Sequence, residues 1–187
     1  MRAGHNISEL CIPSLTLYSS TVIDFLECNM CDDDTAIAFV YCNYKEAHHT
    51  PSNLVGSILQ QVATKESSAF PLELPEKLIK LHTEYGVERP PANEFTKILK
   101  ERLRFFSRVY IVVDALDECS EWEILQDETR SLATDGVKLL ITSRPIKGIE
   151  DFFSLEARLA ISAVDSDVRE YLKGGSAILW ICFAHLH

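Results

Sequence analysis

Two apolar runs dominate the hydropathy pattern, Val109 to Val113 and Val137 to Ile141, the second interrupted only by Lys138. Neither shows a sustained alternation with polar residues. Each is expected to be a strand covered on both faces, as in a parallel sheet. Each also ends abruptly in polar residues. Asp114, Asp117 and Glu118 follow the first run, and Thr142, Ser143 and Arg144 follow the second. The segment between them, 121–134, is mixed and reads as a helix. Thr35 to Tyr44 is rich in β-branched and aromatic residues and reads as a third buried strand. Ala157 to Ile161 reads as a further short one.

The helical signals lie between these strands. Leu54, Val55, Ile58, Leu59 and Val62 fall on one face at helical spacing. Pro51 suits the first turn of that helix and Thr50 its N-cap. Residues 74–85 and 93–106 are two more amphipathic helices, separated by Pro90-Pro91, with Asn93 as the expected N-cap of the second. Ser20 to Leu26 looks helical, whereas residues 1–18 show no clear period and 28–34 read as a polar, acidic connection. Asp165 to Leu172 reads as a helix start with acidic residues in its first turn. Strands alternating with helices predict an α/β fold with a mainly parallel sheet and helices on both faces. With 187 residues, one domain is expected. From 173 onward the character changes. Gly174-Gly175 precede an apolar, aromatic tail to His187, which is read as an atypical segment outside the domain.

Composition narrows the function classes. Hydrophobic residues make up 47% and charged residues 25%, as in ordinary globular proteins. The net charge of -10 argues against broad nucleic-acid binding, which needs basic patches. The apolar stretch Ala177 to Ala184 is too short to span a bilayer, so no membrane role is expected. Six cysteines are scattered along the chain, and Cys42 and Cys119 lie in or beside apolar strands. Reduced thiols and a cytoplasmic location are expected.

The strand ends carry the candidate chemistry. A carboxylate at the carboxyl end of a central strand faces the crevice where open α/β sheets bind ligands. Asp114 there can hold Mg²⁺ bridging two phosphates. Asp117 or Glu118 can orient the attacking water as vestigial catalytic candidates. Thr142, Ser143 and Arg144 can hydrogen-bond a γ-phosphate, Arg144 with a fixed fork of donors. Other candidates are weaker. Cys28-x-x-Cys31 is one pair, and zinc needs a second, for which His48-His49 offers little. His82 sits at helical spacing with Leu78 and Leu81 and reads as a partly buried helix residue. His185 and His187 read as solvated.

Val-Val-Asp-Ala-Leu-Asp-Glu-Cys (112–119) followed by Leu-Leu-Ile-Thr-Ser-Arg-Pro (139–145) resembles the Walker B and sensor segments of NACHT-type P-loop NTPases. The strand at 38–45, the helix at 53–61 and the segment 165–171 resemble the nephrocystin-three-like branch, abundant in fungal NOD-like receptors. The resemblance spans residues 15–172. It implies an ATP- or GTP-binding oligomerisation switch using Mg²⁺, with protein partners or self-association. It also implies a Gly-x-x-Gly-x-Gly-Lys-Thr loop before a helix like Leu17 to Leu26. Aligned on that helix, Thr16 stands at the metal-binding Thr, but Leu15 replaces the Lys and Ser14 the last Gly. Cys11-Ile12-Pro13 supplies no glycine nest, so residues 1–14 read as an irregular or replaced loop. The sheet is accordingly expected to be incomplete at the N-terminus, with strand edges left unpaired.

Magnitude decides the consequence. Each charge-assisted phosphate bond contributes about 1.5–3 kcal/mol. Losing two or three costs on the order of 5 kcal/mol, or a few thousand-fold in affinity. The expected function is therefore a truncated or degenerate NACHT-type signalling module. It would bind nucleotide weakly or not at all, carry no cofactor, lack enzymatic activity and act through protein–protein contact. The alternatives are a working ATP/GTP switch with Mg²⁺-dependent hydrolysis and an unstable fragment with no independent function.

Overall fold

The computed structural model describes residues 12–46, 49–65, 73–86, 89–133, 136–162 and 178–184. Helix α1 (Ile12–Met30) leads into strand β1 (Thr35–Tyr41), then helices α2 (Pro51–Thr64), α3 (Glu73–Tyr85) and α4 (Ala92–Leu103). Strand β2 (Arg108–Asp114), helix α5 (Trp122–Leu132), strand β3 (Val137–Ser143), helix α6 (Lys147–Phe152) and strands β4 (Ala157–Ser162) and β5 (Ile178–Ala184) complete the order. The five-stranded sheet runs β1-β2-β3-β5-β4. β1, β2 and β3 are parallel, and β5 is antiparallel to both of its neighbours.

The period of two along each strand sorts the core into two faces. Val109, Ile111 and Val113 of β2 and Leu139 and Ile141 of β3 point to one side, against buried residues of α2, α4 and α5. Val112 and Leu140 point to the other, against Ile23 and Leu26 of α1. Both runs are thus covered on both faces except at Lys138, which is exposed near the start of β3, and neither alternates regularly.

Local chemistry explains most boundaries. Thr50 caps α2, its hydroxyl accepting from the Asn53 N–H at 3.4 Å, and Pro51 follows in the first turn. β1 stops at Tyr41 rather than Tyr44 because Asn43 starts a turn. Its side chain accepts from the Lys45 N–H at 3.0 Å and its carbonyl from the Glu46 N–H at 3.1 Å. α4 begins at Ala92 with Pro91, not Asn93, in the cap position, and Asn93 is exposed. It ends at Leu103, three residues short of the expected boundary, and Phe106 is buried beyond it.

Three features differ more from the pattern reading. α1 starts well before Ser20 and runs through Cys28 to Met30. Its buried stripe, Ser19, Ile23 and Leu26, contains a serine, and Tyr18 and Phe25 are exposed. That distribution blurs the helical period. The short α6 gives no periodic signal; Ile149 and the following Phe153 anchor it. Residues 178–184, read as a tail, form β5 between β3 and β4. One edge of β3 is paired with it along Leu139 to Ser143. The expected helix at 165–172 lies outside the described residues.

Gly148 in α6 allows close approach by a ring. A Cβ there would lie 2.6 Å from Trp122 Cη2 and 3.2 Å from Cζ2. Gly148→Ala is expected to destabilise the protein by about 1–3 kcal/mol, since a packed indole must move. Chemical denaturation would check this, with Gly86→Ala unsuitable as a control because Gly86 has a φ of +57°.

Candidate functional site

The strand tips of β2 and β3 bring the acidic and hydroxyl residues together. Val113 of β2 pairs with Ile141 of β3, so the next residues, Asp114 and Thr142, stand side by side. Both follow the period that points Val112 and Leu140 toward α1. Asp114 is 2% exposed and Thr142 is fully buried. The Thr142 hydroxyl donates to Asp114 Oδ1 at 2.6 Å and accepts from the Ala115 N–H at 2.9 Å. The Ser19 hydroxyl, from the buried stripe of α1, donates to the same Asp114 oxygen.

Beyond Asp114 the chain turns sharply. Ala115 has φ 53° and ψ 50°, the left-handed region that disfavours a side chain by about 1–2 kcal/mol. The strained turn feeds a short 3-10 turn, Leu116–Glu118, which aims Asp117 at the tip of β3. The side chain of Asp117 is fully buried. Its Oδ1 accepts from the Arg144 N–H at 3.0 Å and its Oδ2 from Arg144 Nε at 2.5 Å. One carboxylate therefore holds both the backbone and the guanidinium of the same residue. Ser143 donates its hydroxyl to the Arg144 carbonyl at 2.8 Å.

Glu118 is 6% exposed. Burial raises its carboxyl above the usual range, the charges of Asp117 and Asp114 add to the rise, and Arg144 opposes it. Cys42, just past β1, donates its N–H to the Asp114 carbonyl at 2.9 Å. Burial, then Cys119 and the acidic tip, push its thiol far up. Burial also raises the Cys119 thiol. Both stay protonated at neutral pH and behave as small core hydrophobes.

The other candidates are dispersed. α1 places Thr16 one turn before Ser19. Cys28 and Cys31 are exposed at the far end of α1, and Lys65 Nζ donates to Cys31 Sγ at 3.4 Å. His49 accepts the Cys119 thiol on its carbonyl, and His82, expected to be partly buried, is exposed on α3 because Leu81 takes the buried face. His48, His185 and His187 lie outside the described residues. Among the described residues no three His, Cys, Asp or Glu side chains converge to hold a metal. Asp114 offers a single carboxylate, and one of its oxygens already accepts two hydroxyls. A Mg²⁺ held at this carboxylate would have to take its other oxygens from water and phosphate, since the protein supplies no cage of its own among the described residues.

Ser19 is the site residue that pattern reading missed. Its signal is visible afterwards: a polar residue at i, with Ile23 at i+4 and Leu26 at i+7, sits on the buried stripe.

A three-stranded parallel sheet flanked by helices, with an acidic tip on its middle parallel strand, defines an α/β protein consistent with a P-loop-like fold. Residues 15–144 match the model of the family described as nephrocystin 3, N-terminal, and the chain belongs to that family. No curated protein and no solved structure matches it. No helix among the described residues is long and apolar enough to cross a membrane.

Proposed function

We propose that this chain is a degenerate NACHT-type signalling module that acts through protein–protein contact, with nucleotide binding weak or lost. The observation that carries this reading is the mutual satisfaction of the strand-tip side chains. Asp114 is bonded by Ser19 and Thr142, and Asp117 holds Arg144 by two atoms. The sequence supports it too, with Ser14, Leu15 and Thr16 where a phosphate-gripping Gly-Lys-Thr would stand. A phosphate would have to displace existing bonds without a lysine or a glycine nest to compensate. Exposed Tyr18 and Phe25 on α1 suit contact with protein partners or with a second copy. A cytoplasmic setting and a place among fungal NOD-like receptors belong to the same proposal. The first is supported by the free, protonated Cys42 and Cys119, the second by the motif resemblance.

The test is Mg²⁺-dependent binding of a fluorescent ATP or GTP analogue to the folded chain. The expected dissociation constant is weaker than about 1 mM. Asp114→Asn, which keeps the shape of the site, serves as the control. A dissociation constant below about 10 µM that is lost in Asp114→Asn would overturn the reading and establish a nucleotide switch.

A further inference from the structure

At the opposite, amino-terminal end of the sheet, the starts of β2 and β3 and the ends of α4 and α5 enclose a cavity of about 290 Å³. This approaches the lower end of the range for small-molecule pockets. Leu103, Phe106, Leu132 and Val137 form its wall, and each is under 8% exposed. Lys100 and Arg104, one turn apart at the end of α4, stand at its rim. Cations are common in a last helical turn because they complement the helix dipole. Their setting joins this positive rim to the apolar wall of the cavity. Acidic residues outnumber basic ones, 28 to 18. Ion pairs among the described residues engage Lys77, Lys80, Lys97, Arg108, Arg130 and Arg144, and none engages Lys100 or Arg104. Two cations that form no ion pair among the described residues thus flank an apolar hollow in an acid-rich protein.

We propose that this cavity binds a small amphipathic anion, an apolar chain ending in one carboxylate. The tail occupies the hollow between α4, α5 and the sheet, where it removes apolar surface from water. The head group lies between the Lys100 ammonium and the Arg104 guanidinium, which can grip a carboxylate with two parallel donors. The site is separate from the Asp114 cluster, at the other end of the same strands, and does not depend on nucleotide binding.

Decanoate titrated into the full chain, followed by methyl NMR, tests this. Saturable shifts are expected at the Leu132 and Val137 methyls. Decanol, with the same tail and no charge, is expected to bind about tenfold more weakly. Lys100→Gln/Arg104→Gln is expected to weaken decanoate binding by about the same factor, with the circular dichroism spectrum unchanged. Both variant positions lie at the cavity rim, so the core stays intact. Three results would each overturn the proposal: no saturation by about 1 mM, equal affinity for decanol, or shifts confined to methyls elsewhere, such as Leu140 beneath α1.

Discussion

Thr142→Val is expected to lower the unfolding free energy by about 2–4 kcal/mol, although valine nearly matches threonine in shape. The Thr142 hydroxyl both donates to Asp114 Oδ1 and accepts from the Ala115 N–H. Its removal leaves a carboxylate short of a donor and a backbone N–H without that acceptor, in a place water does not reach. A lost bond to a charged group costs about 1.5–3 kcal/mol and an orphaned buried donor about 1–3 kcal/mol. The two losses share one atom, so they do not simply add. Thr142→Ser keeps the hydroxyl and loses one methyl, at a cost of about 1 kcal/mol. Urea denaturation with an unchanged m-value distinguishes the variants. A loss equal in both would assign the effect to packing instead of the hydroxyl. Ser19→Ala should fall between them, since α1 can shift slightly and Thr142 still serves Asp114.

The second large effect is expected at Arg144. Arg144→Ala should destabilise the protein by about 2–3 kcal/mol. Removing one partner of a fully buried pair costs about 3–5 kcal/mol. The Arg144 side chain is 37% exposed, which places this pair below that range. The Asp117 carboxylate would retain the Arg144 backbone N–H and lose Nε. Arg144→Lys should recover little, because an ammonium on a flexible stem cannot present the in-plane donor beside that N–H. A double-mutant cycle with Asp117→Asn should give a coupling of at least about 1 kcal/mol. A coupling near zero would mean that the pair is solvated and that the β2 and β3 tips are not held together through it. The same cycle bears on function: a guanidinium this firmly held is a poor sensor of a phosphate it must first leave Asp117 to reach.

Both predictions concern residues the sequence had already singled out, but for a different role. Asp114, Asp117, Thr142, Ser143 and Arg144 stand out because an apolar run that ends in polar groups marks a strand tip. That pattern is local and survives any arrangement of the other elements. The strands β1, β2, β3 and β4 and the helices α2 to α5 were legible for the same reason. Their periods, their proline and threonine signals and their turn residues act within a few positions of one another. α6, six residues long, falls below the length at which a period can be read.

What the sequence by itself determined is therefore the alternation of strands and helices, the acidic and hydroxyl tips, and the Ser14-Leu15 pair where the resemblance implies Gly-Lys. The tertiary structure decided which of these groups meet. The pairing of Val113 with Ile141 sets Asp114 beside Thr142, and the packing of α1 on that face brings in Ser19 from 95 positions away. The left-handed Ala115 turns Asp117 back onto Arg144. The tail became β5 because the open edge of β3 carried unpaired backbone groups, and an apolar segment with good strand propensity can satisfy them. Register, helix packing and edge pairing are long-range choices, made by burial and hydrogen-bond satisfaction over the whole sheet. No local pattern along the chain encodes them.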